Sequence, residues 1–367
     1  MNNAAHEKKK SMPESYHPKH SVIMDLVGAA KAQSRILPVR RVGFLGNTDD
    51  DRSPESFPLP ACMASVMETL GEGYGDITIY AHNRSYTKRL ANHAFLGASG
   101  MAFGLLWSDE MDYRTMDLTQ ITPLDEVVRR IFAFAGYTYE LFEAGEYDKN
   151  TVYRKILSAI DRGTPVITFG LFGHPECAVI AGYENLGASL VGWSHFQTEE
   201  NIETTENGMF RISDWDESWT SIVILHDKVG RSLTYHDALA HGMSLMSKTE
   251  AAGYYAGYAA FKRWLNAVSA PTVDSALYRY HKAILFNYAE LRAWGSDFLN
   301  DAGCTEAGTV FMRIHDLCWE ADAAAKGEEA FADYENRCRV AEILREMVRL
   351  DHMAECMIEE FLRARKV

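Results

Sequence analysis

A cysteine at the start of a predicted helix is the first candidate for chemistry in this sequence. Cys62 stands two residues after Pro60 in the stretch FPLPACMASVMETLGE (57–72). Apolar residues repeat with helical spacing just after it, at Met63, Val66, Met67 and Leu70. A position in the first turn of a helix lowers the pKa of a thiol and favours the nucleophilic thiolate. The alternative is a small core residue, because free cysteines are among the most buried residue types.

A cysteine nucleophile needs a base within hydrogen-bond reach and a group that orients this base. The segment GLFGHPECAVIAGYENLGASLVGWSHF (170–196) supplies both residue types. His174 lies in the loop before one predicted strand, Glu176 follows it closely, and His195 ends the next strand. Pairing of these strands in a hairpin can bring His174 or Glu176 opposite the end that carries His195. Each histidine also has an ordinary interpretation, His174 as a solvated loop residue and His195 as a polar strand end.

Five residues in three stretches are candidates for substrate binding: Ser99, Gly100, Trp193, Asn83 and Arg84. Ser99 and Gly100 belong to a glycine-rich run that either lines a cleft or allows close packing of the backbone. Asn83 and Arg84 follow a predicted strand, and the planar guanidinium of Arg84 suits a carboxylate. The more ordinary interpretation of the same two residues is a turn that carries a surface arginine.

Metal and cofactor motifs are incomplete in this sequence. The stretch HPEC (174–177) contains the H-x-E of zinc deaminases, but the P-C-x-x-C that accompanies it in those enzymes is absent. The stretch VGFLGN (42–47) lacks the G-x-G-x-x-G spacing of dinucleotide-binding proteins. We therefore expect neither a catalytic metal nor a cofactor.

The predicted elements divide the chain into three regions. Residues 1–36 form a predicted polar tail with a pairing arm, residues 37–228 an α+β domain with an antiparallel sheet, and residues 229–367 an all-α bundle. In the middle region, helices are predicted over 123–143 and 151–163, and strands over 40–46, 76–83, 164–170, 177–184, 189–196 and 218–227. From Thr234 onward strand patterns are absent, and the stretch that contains Tyr254, Tyr255 and Tyr258 is assigned to a helix.

Composition and charge narrow the expected location and partners of the protein. The net charge of −14 argues against nucleic acid and against an anionic membrane surface as the main partner. The six cysteines form no C-x-x-C pair, which is typical of a reducing compartment. The N-terminus lacks the apolar segment of a secretion signal, and no apolar run is long enough to span a bilayer. We expect a cytoplasmic protein, with a homodimer through the long C-terminal helices as one arrangement.

Residues 40–227 resemble the butirosin-biosynthesis-protein-H-like N-terminal domain, which is related to C39-type papain-like peptidases. The resemblance rests on PACMASVMETLGE, LGASGMAFGLLW, ILSAIDRGTPVITFG and CAVIAGYENLGASLVGWS. The stretch HKAILFNYAELRAWGSDFLNDAG is similar to the helical domain that often follows. Papain-like enzymes usually carry a Gln about six residues before the cysteine as an oxyanion donor, and Ser56 occupies that place here.

The resemblance implies a papain-like fold in which Cys62 attacks an acyl carbonyl and forms an acyl-cysteine. His174 would carry the proton, His195 or Glu176 would orient it, and the Cys62 amide would hold the oxyanion. The implied activity is acyl transfer or amide hydrolysis on a small, amino-acid-like substrate, with an acyl carrier protein as one implied donor. The alternative hypothesis is an inactive papain-like protein that binds a small molecule between the sheet and the helical bundle.

Overall fold

The computed structural model describes residues 30–42, 55–81, 84–113, 118–172, 176–195, 202–213, 215 and 218–365. The helices are α1 (Pro58–Thr69), α2 (Leu90–Ser99), α3 (Leu124–Ala135), α4 (Lys149–Arg162), α5 (Tyr235–Met246), α6 (Gly257–Val268), α7 (Ser275–Asp301), α8 (Thr305–Ala324), α9 (Glu328–Ala332) and α10 (Tyr334–Ala364). The strands are β1 (Arg35–Ile36), β2 (Asp76–Ala81), β3 (Arg84–Arg89), β4 (Leu106–Trp107), β5 (Tyr137–Glu143), β6 (Val166–Phe169), β7 (Cys177–Glu184), β8 (Ser189–Ser194), β9 (Phe210–Ile212), β10 (Ser221–Lys228), β11 (Glu250–Ala251) and β12 (Tyr254–Ala256). These elements confirm a mixed helix and strand chain with antiparallel sheets and a helical C-terminal part.

The largest sheet has the strand order β5-β10-β6-β7-β8-β9, and β1 pairs with β7. Every ladder in it is antiparallel. The residues of β6 are all buried, and those of β7 are buried up to its last residue. A strand with buried side chains on both of its faces carries a nearly continuous apolar sequence, as VITF and CAVIAGY do here.

Helix α1 lies at a junction between the sheet and the C-terminal helices. It packs on β7 and on α2, and α2 in turn packs on α7. Helices α7, α8 and α10 form the most extensive helix contacts of the C-terminal part. One continuous apolar core joins both parts of the chain, so a residue at the start of α1 can meet side chains of α7.

The structure corrects the predicted helix over residues 123–143. Helix α3 ends at Ala135, and Gly136 follows in the left-handed region with φ of +82°. A Cβ at residue 136 would lie 2.7 Å from the backbone of Gly230, so both conformation and space require glycine there. The following YTYELFE forms the strand β5 beside β10, since its aromatic and β-branched residues suit a partly covered sheet surface.

The structure also corrects the prediction that strands are absent after Thr234. Tyr254 and Tyr255 belong to β12, which pairs with β11 and with β4, and helix α6 begins only at Gly257. The resulting sheet contains one strand from before the predicted domain boundary at residue 228 and two strands from after it. Among the helices of the described residues, none combines the length and the apolar character needed to cross a membrane.

Candidate functional site

Two of the first three residues of helix α1 are prolines. They remove half of the backbone N–H groups that are usually free at the start of a helix. The first four N–H positions of a helix have no partner within the helix, and here they belong to Phe57, Pro58, Leu59 and Pro60. Proline has no N–H group, so only Phe57 and Leu59 can offer one to a ligand. The start of α1 is therefore a weaker anion site than an ordinary helix N-terminus.

Cys62 lies deeper in the helix than the sequence predicts. It is the fifth residue of α1, in the second turn, and the preceding Ala61 already donates its N–H to the carbonyl of Phe57 at 3.3 Å. The amide of Cys62 thus falls within the regular hydrogen-bond ladder of the helix. Its side chain has 0% exposed surface and belongs to the apolar core. The first-turn position expected for Cys62 is therefore wrong.

Ser56, at the place of the papain-like oxyanion residue, binds a carboxylate of the same chain. Its amide donates to Oε1 of Glu290 at 2.7 Å, and its hydroxyl donates to Oε2 of Glu290. Trp294, one turn further along α7, also favours the charged form of this carboxyl group. Burial is the largest effect on Glu290, and with the nearby charge of Glu55 it raises the pKa to about 7 despite these donors. The carboxyl group is therefore partly protonated at neutral pH.

Glu55 and Arg89 form a buried ion pair beside Ser56. Nε of Arg89 lies 2.6 Å from Oε1 of Glu55, and Nη2 contacts Oε2. Arg89 also donates to the hydroxyl of Ser65 at 2.8 Å and to the carbonyl of Ala61 at 3.3 Å, both on α1. The last residue of β3 thereby fixes the body of α1 and the segment that leads into it. Its charge is matched by Glu55 and is not available to Glu290.

His195 reaches the same region from the end of β8. Its Nε2 lies 2.9 Å from the backbone carbonyl of Glu55. Because a carbonyl can only accept, Nε2 carries the proton in this contact and Nδ1 holds the lone pair. Burial lowers the pKa of His195 and favours the neutral imidazole. We call Glu55, Ser56, Arg89, His195 and Glu290 the helix-start cluster.

The remaining catalytic candidates and the Asn83–Arg84 pair lie elsewhere or outside the described residues. His174 and Asn83 are outside them. Glu176 precedes β7, and its backbone carbonyl accepts from the amide of Gly170 at 3.2 Å. Arg84 begins β3 and pairs in register with Ala81 of β2.

The other substrate-binding candidates take part in close packing. Ser99 is fully buried, donates to the carbonyl of Leu96 at 3.0 Å and accepts from the amide of Met101 at 3.3 Å. A Cβ at Gly100, whose φ is +90°, would lie 2.6 Å from Leu245. These contacts favour the close-packing interpretation of the glycine-rich run.

Trp193 is also committed to the protein interior. Its indole donates to the carbonyl of Val39 at 3.0 Å, and only 8% of the residue is exposed. The side chain therefore ties β8 to the segment before α1, close to the turn that holds His195. In the described structure it contributes to the frame of the helix-start cluster, and its ring has little surface for a ligand.

Sequence reasoning missed Glu55, Arg89 and Glu290 as site residues. Glu290 did carry a signal, because it stands four and eight residues before Trp294 and Phe298 and so shares their apolar helix face. A carboxylate on a buried face usually has a partner. The partner, Ser56, is 234 residues away, and no local pattern identifies it.

Comparisons with known proteins give no family for this chain. No protein-family model matches the sequence, and a search of curated proteins finds none that matches it. Within the described residues, no group of three or more His, Cys, Asp and Glu side chains is placed to hold a metal ion. The function must therefore be argued from the helix-start cluster itself.

Proposed function

We propose that this chain binds a small molecule through a neutral carbonyl group at the helix-start cluster, between the main sheet and the C-terminal helices. The observation that carries the proposal is the contact of Ser56 with Glu290. Two donors on one residue converge on one carboxyl group, as they would on the oxygen of an acyl or amide compound.

The charge of the site favours a neutral ligand over an anionic one. Arg89 is already paired with Glu55, and none of the main causes of the pKa shift of Glu290 is a cation. The same surroundings that raise the pKa of Glu290 would disfavour a ligand carboxylate. An amide or ester oxygen accepts the same hydrogen bonds without a buried charge. In this proposal the ligand replaces the carboxyl group of Glu290 on the donors of Ser56.

A ligand-induced shift of the melting temperature tests this proposal. The probes are N-acetyl amino-acid amides with side chains of graded size, compared with the corresponding free N-acetyl amino acids. We expect the amides to add RT ln(1 + [L]/Kd) to the free energy of unfolding of the wild type and so to raise its melting temperature, and the acids to do so less. Loss of one donor in Ser56→Ala should weaken amide binding by about tenfold.

Ser99→Ala is the matched control for this experiment. Ser99 is also a hydrogen-bonded serine, fully buried where Ser56 is partly buried, and among the described residues its hydroxyl is bonded only within its own turn. The control should lose stability without losing the difference between amides and acids. Equal loss of binding in both variants, or a wild type that prefers the acids, would overturn the proposal.

Acyl transfer through Cys62 is the second candidate function. It is supported by the convergence of His195 on the segment that leads into the cysteine helix, with an imidazole whose pKa is lowered toward the neutral base. It also agrees with the resemblance to cysteine acyltransferases. It requires the site to open, because Cys62 is fully buried in the described structure.

The alkylation rate of individual thiols separates binding from acyl transfer. The chain contains its own standards, because Cys356 is exposed and Cys318 is fully buried. Iodoacetamide labelling across pH, read peptide by peptide, should leave Cys62 as slow as Cys318 if the chain only binds its ligand. A Cys62 that reacts faster than Cys356 below pH 8, and loses this reactivity in His195→Gln or His174→Ala, would establish the catalytic alternative.

A further inference from the structure

A groove beside α4 is a second candidate binding site, separate from the helix-start cluster. It has a volume of about 330 Å³ and is lined by Thr151, Arg154, Lys155, Ser158, Arg162, Ile224 and His226. That volume is at the lower end of the range of small-molecule sites. From it we infer that the α4 groove binds the phosphate group of a small phosphorylated molecule.

The positions of the lining residues follow from the helix period. Thr151, Lys155, Ser158 and Arg162 lie at i, i+4, i+7 and i+11, so they form one stripe along α4. The adjacent strand β10 supplies His226 as the opposite wall. Hydroxyl groups and cations therefore alternate along one side of a concave surface.

Two arginines of the groove have no carboxylate partner among the described residues. Arg154 and Arg162 take part in no ion pair within that part of the chain, although the sequence contains 51 acidic residues. Arg162 donates to the hydroxyl oxygen of Ser158 at 2.9 Å, which leaves the Ser158 hydrogen for an incoming acceptor. The groove thus offers guanidinium donors and a hydroxyl donor together, the set that binds phosphate oxygens.

The carboxylates near the groove are used in other contacts. Glu140 accepts from Nζ of Lys155 at 2.8 and 2.7 Å and lies 3.0 Å from Nε2 of His226. Asp148 caps the start of α4 by accepting from the amide and the hydroxyl of Thr151, both at 2.9 Å. These contacts neutralise Lys155 and fix the end of the groove. Asp148 also attracts Arg154 from beyond ion-pair distance, so neither arginine has a direct carboxylate contact among the described residues.

In a second groove of similar size, the arginine is paired with carboxylates of the same chain. It has a volume of about 360 Å³ and contains Arg40, which lies 2.8 Å from Asp76 and 3.4 Å from Glu68. An anion there would have to displace two carboxylates. In a chain with a net charge of −14, two arginines in a concavity that form no ion pair among the described residues favour an anionic ligand there.

Calorimetric titration of the full chain with inorganic pyrophosphate and with glycerol 3-phosphate tests the inference. The groove variant is Arg154→Gln/Arg162→Gln. The control is Arg339→Gln/Arg345→Gln, which removes the same charge from exposed positions of α10. We expect the groove variant to bind both probes at least about tenfold more weakly, and the control to stay within about twofold of the wild type.

Three results would overturn the inference, and circular dichroism of each variant checks that it is folded. The first is a wild type that binds neither probe at low ionic strength. The second is an equal loss of binding in the groove and control variants, which would indicate only a general charge effect. The third is binding of polyglutamate without binding of pyrophosphate, which would assign the groove to an acidic protein partner.

Discussion

The helix-start cluster and the Arg292–Asp351 pair both bury an arginine against a carboxylate, but they differ in what surrounds the pair. Arg292 of α7 lies 2.8 Å from Asp351 of α10 and donates to the carbonyl of Ala102 at 2.6 Å. Its guanidinium lies over the rings of Tyr288 and Phe311, with 4.2 and 4.4 Å to their centroids. One cation and one anion, enclosed by aromatic rings, make a closed structural centre.

The helix-start cluster contains an additional carboxylate that its arginine does not neutralise. Arg89 is matched by Glu55. Glu290 has hydrogen-bond donors but no ion-pair partner among the described residues, and burial raises its pKa to about 7. An ion pair that only stabilises the fold does not require an additional group that titrates near neutral pH. A strongly shifted group beside a serine and a histidine is instead typical of functional sites. The difference supports the proposal that a ligand binds at the helix-start cluster and not at the other buried pair.

We expect the largest change in stability when the buried ion pair of Arg292 and Asp351 is removed. Arg292→Met leaves Asp351 buried without its partner and should lower the free energy of unfolding by about 4 kcal/mol. Urea unfolding measures this change. The double variant Arg292→Met/Asp351→Leu should recover most of the loss, because it removes the uncompensated charge. If Arg292→Met has nearly wild-type stability, Arg292 and Asp351 do not form a stabilising buried ion pair.

A second prediction concerns His281, which lies on α7 with Arg292 and Glu290. Its Nδ1 accepts from the indole of Trp264 at 2.8 Å, its ring stacks on Phe331, and burial lowers its pKa to about 3. A histidine whose pKa is lower in the folded state adds stability above pH 6.5, and this stability is lost as pH falls toward 3. Between pH 7 and pH 4 the wild type should lose on the order of 3 kcal/mol through this group.

His281→Gln tests this acid sensitivity, because glutamine can accept from Trp264 but does not titrate. The variant should be somewhat less stable than the wild type at pH 7, and its unfolding free energy should fall less steeply toward pH 4. His352→Gln, at an exposed position of α10, is the control and should retain the wild-type slope. Equal slopes in all three proteins would mean that His281 is not the group that titrates.

Local sequence patterns predict most elements of the fold because local physics determines them. Helix α4 follows from its amphipathic period and from Gly163 at its end, and β6 to β8 follow from β-branched runs interrupted by glycine. The strand β5 was missed because its apolar residues continue the helical pattern of α3, and only the left-handed Gly136 separates the two. The pairing of β12 with β4 depends on residues about 150 positions apart, which no short window contains.

The candidate site was predictable only in part, for the same physical reason. The spacing to Cys62 identified Ser56 as the residue at the papain-like oxyanion place, and the strand pattern put His195 at a strand end. The structure brings both residues to the segment before α1. The sequence could not identify Glu290 or Arg89, because their roles arise only when α7 and β3 reach the start of α1. Buried polar contacts between distant segments depend on tertiary structure, and a single sequence does not show them.

The smallest and most selective prediction is the pH dependence that Glu290 gives to the wild type. Its pKa is raised from 4.5 to about 7 in the folded chain, so its contribution to stability is complete below pH 4.5 and is lost as pH rises through 7. Between pH 5 and pH 8 the unfolding free energy should fall by on the order of 2 kcal/mol through this group. Glu290→Gln keeps the shape and removes the titration, so its stability should depend less on pH in this range. Urea unfolding at several pH values measures the difference.

Glu342→Gln, at an exposed position of α10, provides the matched loss of one carboxylate and should leave the pH dependence unchanged. Combining Glu290→Gln with Ser56→Ala locates the effect, because residues in direct contact should give a non-additive change in the free energy of unfolding. If Glu290→Gln keeps the full pH dependence of the wild type, Glu290 does not titrate near neutrality. The helix-start cluster would then resemble the Arg292–Asp351 pair, and its charges would not favour a ligand at Ser56. If the pH dependence of the unfolding free energy disappears only in the variants that lack Glu290, the helix-start cluster differs from the Arg292–Asp351 pair in the way that their charges predict.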